Sequence, residues 1–274
     1  MSRNTINTWL EIGAAKLREV AERPRREAEI LLGTLLQKDR IYLITHGEDE
    51  VEADGFDAAL ERRCDNEPIE YITSRVSFYS QEFYIAKGAL IPRPETEILI
   101  EKLLEKLDLS TKESIVEVGI GSGVISIVLA QHLKEANFLA TDISEDAIKV
   151  AQKNISLKGM DERINIVQTD LLSGIDSKID ILVSNPPYIE DSLILGENLS
   201  YEPQNALYGG KVGDEILQRL IDEAFSRDVR ILACEMGYDQ KEKIEEYTQG
   251  KNFKSLEFYS DYAGHDRGFI MIFH

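Results

Sequence analysis

The run Asn185-Pro186-Pro187-Tyr188 is the stretch whose residue types and order most directly specify chemistry. Proline at 186 and 187 fixes two φ angles and removes two backbone donors. Pro186 also pushes Asn185 toward an extended conformation. What remains is a stiff edge presenting acceptors, the side-chain oxygen of Asn185 and the carbonyl of Pro186. Acceptors held in that way suit a planar NH2 group on an sp2 carbon, and Tyr188 would supply a flat wall against that plane. The apolar run Ile181-Leu182-Val183 comes just before, so the edge falls where a strand ends. Met in isolation, the same four residues are as readily a turn followed by a core tyrosine.

A second constellation is Glu117-Val118-Gly119-Ile120-Gly121-Ser122-Gly123, between a short apolar strand and a helix. Glycines there permit a tight turn and let backbone approach a ligand closely. Val124 stands where a GxGxxG pattern needs its last glycine, which weakens a nicotinamide or flavin reading. Asp142 ends the next strand 19 residues after Gly123. A carboxylate at that place can accept hydrogen bonds from two ribose hydroxyls. Turn and acid together point to an adenosine-containing cofactor; a ligand-free tight turn is the alternative. Glu117 is a candidate for a cofactor amine. Asp170, at the end of a later strand, could meet an adenine amino group or simply cap a turn.

These residues need a scaffold, and the hydrophobic pattern supplies one. Ser114–Val118, Ala136–Thr141, Ile164–Gln168, Ile179–Ser184, Val229–Glu235, Leu256–Tyr259 and Phe269–Phe273 read as strands. Val124–Leu133, Glu145–Leu157, Glu215–Phe225 and Lys241–Tyr247 read as helices. Such alternation argues for a mostly parallel sheet covered on both faces, with ligands at the carboxyl ends of its strands. Residues 1–75 read as a small bundle of short helices, either a structural cap or a substrate-docking module. Within them the acid-rich Gly47–Asp57 stretch reads as a solvated loop and helix start. Residues 76–92 are rich in β-formers and read as a hairpin or extended connector. Pro94 can open a helix that Glu95 and Glu97 favour electrostatically, running to about Leu107.

Composition narrows the function classes. The 274 residues are 43% hydrophobic and 30% charged, which is globular. No window approaches the ~18 consecutive apolar residues of a membrane span, and the first residues do not resemble a signal peptide. The net charge is −19, with 17 acids against 12 bases in residues 1–90 and 33 against 19 in residues 91–274. An acidic surface repels phosphate backbones, so duplex nucleic acid is a poor partner. That weighs against an adenine-N6 methyltransferase, which would also have to flip its base. Cys64 and Cys234 form no CxxC pair and read as free thiols in a reducing cytoplasm. His46, His132, His265 and His274 lie outside the motifs, and no metal-ligand spacing appears.

The chain resembles the class I methyltransferases that act on planar amides or exocyclic amines, and within them the HemK/PrmC family of protein-(glutamine-N5) methyltransferases. Beyond the two constellations, the likeness is carried by Pro68-Ile-Glu-Tyr71-Ile and the connector Leu90-Ile-Pro92-Arg-Pro94-Glu-Thr96-Glu97. It continues through Glu202-Pro203-Gln-Asn-Ala206-Leu207-Tyr-Gly209-Gly210, Glu235-Met-Gly237-Tyr-Asp-Gln240 and Asp261-Tyr-Ala-Gly264-His-Asp-Arg267. Ser74-Arg75 departs from the glycine often found there.

The resemblance implies an α/β fold: a class I, Rossmann-like methyltransferase domain over 93–274 with a mixed seven-stranded sheet. A connector hairpin at 76–92 and a helical substrate-docking domain at 1–75 would precede it. It implies S-adenosyl-L-methionine as cofactor, S-adenosyl-L-homocysteine as product, and class I peptide chain release factors as substrate, methylated on the glutamine of a Gly-Gly-Gln loop. It implies a cytoplasmic monomer without membrane or direct nucleic-acid partners. Asn185, Pro186, Pro187 and Tyr188 would be catalytic. Glu117, Gly119, Ile120, Gly121, Ser122, Gly123, Asp142, Asp170, Leu171 and Asn185 would bind the cofactor, with Leu171 giving a weaker adenine contact than the aromatic of some relatives. Glu202-Pro203 would shape the peptide groove and Arg93 would tie down the connector. A ribosomal-protein glutamine methyltransferase and a non-catalytic adenosine-binding scaffold are the remaining alternatives.

Overall fold

The computed structural model describes residues 3–110 and 112–274, and the chain divides into two compact units, 1–75 with 196–201, and 76–195 with 202–274. The first unit begins with β1 (Arg3–Thr5) and α1 (Ile6–Lys16), then α2 (Pro24–Leu36) and α3 (Arg40–Thr45). After these come β2 (Glu50–Glu52), α4 (Phe56–Cys64) and α5 (Ile69–Thr73). Thr5 caps α1 by accepting from the Thr8 amide, Asp39 caps α3 by accepting from Tyr42, and Pro24 occupies the first turn of α2. Ile6, Trp9, Leu10, Leu31, Leu32, Phe56 and Leu60 form the core of this unit, and the Trp9 and Phe56 rings meet edge to face at 5.9 Å.

The unit is not purely helical. β1 pairs antiparallel with β2 inside the stretch expected to be a solvated loop. The reason is local: Val51 is half-buried between two exposed glutamates, and its carbonyl accepts from the Trp9 indole at 3.2 Å. A three-residue alternation is too short to read as a strand without that tertiary partner.

The second unit opens with the hairpin β3 (Arg75–Phe78) and β4 (Gln81–Tyr84). Its turn residues Tyr79 and Ser80 both have positive φ, 51° and 56°, as a two-residue hairpin turn demands. Then come α6 (Glu95–Leu104), β5 (Ser114–Val118), α7 (Val124–His132), β6 (Asn137–Asp142), α8 (Glu145–Leu157), β7 (Ile164–Gln168) and β8 (Ile181–Ser184). The chain continues through β9 (Ile189–Glu190), β10 (Tyr208–Gly210), α9 (Glu215–Ser226), β11 (Ile231–Glu235), α10 (Lys241–Thr248), β12 (Ser255–Ser260) and β13 (Asp266–Ile272). α6 stops short of Leu107, because Lys106 and Leu107 donate to carbonyls three residues back rather than four.

Seven strands form one sheet in the order β12-β13-β11-β8-β5-β6-β7. The five from β11 to β7 are parallel, while β13 runs antiparallel to both β11 and β12, so the sheet is mixed. β8 and β11 are buried along their whole length, as central parallel strands must be. Period-two alternation sorts their side chains. Val116, Val118, Leu182, Leu232 and Cys234 pack with Leu217, Leu220 and Ile221 of α9 and Ile244 of α10. Glu117 and Glu235 point to the opposite face, where they bond Ser126 of α7 and Thr96 of α6. The order turns at β5, whose neighbours are β8 on one side and β6 on the other. At such a switch point two loops diverge and leave a crevice at the carboxyl ends.

Candidate active site

A cavity of about 400 Å³ opens there. Its lining includes the 117–122 turn, Thr141-Asp142, Asp170-Leu171 and the run Ser184-Asn185-Pro186-Pro187, with Thr96 on one side and Tyr208 on another. The glycine turn, ending at Gly123, and the proline edge, starting 62 residues on at Asn185, thus share one cavity because β5 and β8 are hydrogen-bonded neighbours. The Ser184 hydroxyl donates to the Val118 carbonyl at 2.7 Å and locks the two strand ends together.

The glycine turn is shaped by its backbone. The amides of Gly119 and Ile120 both donate to the Thr141 carbonyl. Gly119 has φ +74°, and a Cβ placed on it would meet no atom within 4 Å. The turn therefore leaves an open cradle where any side chain would intrude. Asn154 of α8 fixes the turn from behind, donating to the carbonyls of Ser122 and Tyr84 and accepting from the Tyr84 amide.

Two carboxylates stand in this part of the cavity. Asp142 accepts from the Gly121 amide at 3.0 Å with one oxygen and from the Ser144 amide at 2.8 Å with the other. Burial pushes its carboxyl above the usual aspartate range, although these amides counteract it. Glu117 is 1% exposed, and burial pushes its carboxyl up to about 8, against the hydrogen bonds from Ser126 and with the help of the Asp142 charge. Both Ser126 bonds fall on Oε2, and Oε1 is buried with no partner. A buried acceptor without a donor is costly. An ammonium group in the cavity would satisfy it, and the open cradle at Gly119 leaves room for a ligand's backbone-like stem. The residues present therefore fit an adenosyl amino-acid cofactor. Thr141 Oγ1 is likewise buried and unpartnered on the cavity wall.

A carboxyl raised in the folded state stabilises the fold fully below its unfolded range, and that contribution is lost as pH rises through the folded value. The thermal midpoint of the ligand-free protein should therefore fall between about pH 4.5 and 8, and Glu117→Gln should flatten that decline. Melting curves of the two proteins across this range check it; parallel curves would show that Glu117 is not the titrating group.

On the proline side, Asn185 Nδ2 donates to Thr96 Oγ1 at 3.0 Å, and Thr96 Oγ1 donates to Glu235 Oε2 at 2.7 Å. Tyr188 does not line the cavity with its three neighbours. Its hydroxyl donates to Glu235 Oε1 at 3.3 Å, and burial together with the nearby carboxylate raises its pKa. The flat wall expected of Tyr188 is not formed; the tyrosine on the lining is Tyr208. Asp170 lines the cavity with one oxygen taken by Arg219, at 2.7 Å. Leu171, at φ +48°, lines it too.

Arg93 and Glu202, expected to play separate parts, form an ion pair, and Glu202 also accepts from the Ile91 amide at 3.0 Å. Glu202 thereby holds the connector beside the cavity. None of the four histidines lines it; His132 bonds the Val128 carbonyl and His46 stacks on Tyr42. Thr96, Glu235 and Tyr208 stand within the motifs that carry the resemblance, but sequence assigns no role to them or to Arg219. For the first two the available signal is their place in those motifs at element ends, Thr96 in the first turn of α6 and Glu235 at the end of β11. Pairing them required knowing that α6 lies against β11.

The strand order, the glycine cradle at the switch point and the acceptor edge beside it define a Rossmann-like class I methyltransferase. Residues 94–203 match the methyltransferase small domain family, and residues 8–73 the PrmC N-terminal domain family. Release factor glutamine methyltransferases of Clostridium acetobutylicum, Moorella thermoacetica and Buchnera aphidicola subsp. Schizaphis graminum are each 36% identical to the chain. The alignments cover 88%, 91% and 96% of this chain and 88%, 91% and 97% of theirs. The chain belongs to the release factor glutamine methyltransferase family.

Solved structures bear out the fold. The N-terminal domain of human METTL16 in complex with SAH is 15% identical, with a TM-score of 0.51 over 98% of this chain and 94% of that one. The ribosomal protein L11 methylase of Lactobacillus delbrueckii subsp. bulgaricus is 24% identical, with a TM-score of 0.51 over 68% of this chain and 82% of that one.

Proposed function

We propose that this methyltransferase uses S-adenosylmethionine to methylate the side-chain amide nitrogen (N5) of the glutamine in the Gly-Gly-Gln loop of class I peptide chain release factors, and so acts on translation termination. The observation that carries the reading is the shared cavity: the acceptor edge Asn185-Pro186 and Glu117, whose Oε1 has no partner, line the same space. Family membership supplies the substrate class. Termination takes place in the cytoplasm, which is where the enzyme would work, as a monomer. The helical unit would serve to dock the protein substrate.

When bound, the cofactor supplies an electrophilic methyl group on a sulfonium sulfur. Glu117 would receive the cofactor's amino group and Asp142 its ribose hydroxyls, while the open space at Gly119 would take the chain between them; Gly123, off the cavity lining, faces Ala151 of α8 and would act only by shaping the turn. Asp170 and Leu171 would face the adenine. An amide nitrogen is a poor nucleophile because its lone pair is delocalised into the carbonyl. Asn185 Oδ1 and the Pro186 carbonyl would each accept one N–H of the glutamine amide, which holds its plane and returns density to nitrogen. The glutamine nitrogen would form its new N–CH3 bond as the S–CH3 bond breaks and leaves a thioether, and one of its two N–H protons would pass to water; the remaining contribution is orientation, with reacting atoms brought to about 3–3.5 Å in line. Pro187 keeps the edge from yielding.

Transfer of labelled methyl from the cofactor to purified release factor, ribosomal proteins and DNA, measured side by side, tests this. Label should appear on release factor alone, and mass spectrometry should place a 14-dalton addition (about the mass of one CH2) on the Gly-Gly-Gln peptide. Label on ribosomal protein or DNA in place of release factor would overturn the reading.

A further inference from the structure

The Asn185 amide could face the cavity in either of two ways, and only one serves a substrate NH2. If the side-chain NH2 pointed inward, two donors would oppose each other. The bonds around Thr96 decide between the two. A hydroxyl has one proton to give, and Thr96 gives its proton to Glu235 at 2.7 Å. Toward Asn185 it can then only accept, and at 3.0 Å it accepts from Nδ2. The Asn185 oxygen is left for the cavity. Glu235 is 1% exposed, and its second oxygen accepts from Tyr188 at 3.3 Å. An ionised carboxylate accepts from both sides; a protonated one would return a proton to Thr96 and free the Thr96 proton for Asn185 Oδ1, reversing the amide.

We infer that Thr96 and Glu235 are positioning residues for the transfer reaction: through the Glu235–Thr96–Asn185 relay they set which end of the Asn185 amide faces the substrate, and so make the rim specific for an NH2 donor. This rests on the proposed reading of Asn185 as the acceptor for the substrate amide.

The titratable and charged groups facing Glu235 are Tyr188 beyond β8, Glu95 on α6, Arg267 on β13 and Tyr259 on β12, with Cys234 beside it in β11. Burial and Glu95 oppose ionisation of Glu235; Thr96, Tyr188 and Arg267 favour it, and its carboxyl lies at about 7. Turnover should therefore fall as pH drops through about 7, because the relay runs backward once the carboxyl is protonated.

Thr96→Val keeps the shape and removes the relay. The expected result is a kcat on release factor lowered about 10- to 100-fold, with cofactor affinity changed less than about 2-fold, since the loss is one of substrate orientation. Thr96→Ser, which keeps the hydroxyl, should recover turnover to within about 3-fold of the native enzyme. Glu235→Gln should abolish the pH dependence near neutrality, because no proton remains to be gained. A folded Thr96→Val enzyme with native kcat and pH profile overturns the relay. So does a Thr96→Ser enzyme as slow as Thr96→Val, or a neutral pH limb that survives Glu235→Gln. If Thr96→Val does not fold, Thr96→Ser and the pH profiles decide alone. Native turnover in Asn185→Ala would instead remove the reading of the site on which the relay depends.

Discussion

Asn185→Ala should lower the rate of methyl transfer to release factor by about 1,000-fold while changing cofactor affinity less than about 3-fold, because the lost bond acts on the acceptor and on its alignment. Three features of the site set that size. Asn185 is the one side chain in the acceptor edge; the other acceptor is a backbone carbonyl that no substitution removes. Its amide is tied to Thr96 at 3.0 Å, so the native side chain is already oriented before substrate arrives and alanine forfeits that preorganisation as well as the bond. A carboxamide left with one N–H unpaired in a dry cavity also bears a desolvation cost of about 1–3 kcal/mol. Orientation can add several kcal/mol more, which together span a factor of about a thousand at 1.4 kcal/mol per tenfold. Single-turnover kinetics with saturating cofactor give the rate, and calorimetry with S-adenosylmethionine gives the affinity. Turnover close to native would mean that the proline edge does not hold the acceptor amide.

The parts of this site that sequence made visible are those carried by contiguous residues with an intrinsic backbone consequence. Prolines at 186 and 187 restrict φ wherever they occur, and glycines at 119, 121 and 123 admit the positive φ observed at all three. The strand–helix alternation was equally legible, and α8 and β7 fall on the limits the pattern indicates. What sequence left hidden depends on tertiary neighbours. The β1–β2 ribbon exists because Trp9 reaches the Val51 carbonyl. Tyr188 is off the cavity lining, and its hydroxyl instead donates to the buried Glu235, 47 residues on. Arg93 and Glu202 look like two separate details until an ion pair across 109 residues makes them one. Thr96 stands in the connector motif, but its role follows from lying between Glu235 of β11 and Asn185 just after β8.

The rigidity attributed to the prolines is itself borrowed from outside the motif, and this leads to the second large effect. β10 lies parallel to β9 and brings Gly209 against the residues just after the acceptor edge. A Cβ on Gly209 would press into the Pro187 carbonyl, well inside van der Waals contact, and would stand 2.5 Å from the Gly213 carbonyl. Neither neighbour is a flexible side-chain end. Gln240 also bonds the Gly213 carbonyl at 3.0 Å and the Tyr188 carbonyl at 3.1 Å, so both sides of the gap are pinned. Gly209→Ala should therefore push the Pro186–Tyr188 backbone toward the cavity. Overpacking of this kind costs about 1–3 kcal/mol of stability, and a rim displaced by about 1 Å should lower kcat about 100-fold. Gly174→Ala is the comparison: that glycine has φ +72° with open space around it, so alanine there strains its own backbone by about 1 kcal/mol and leaves the rim in place. Melting curves and turnover of the two variants separate the effects. Gly209→Ala should lose turnover out of proportion to stability, whereas Gly174→Ala should lose stability alone; equal turnover in both would mean that β10 does not hold the acceptor edge in position.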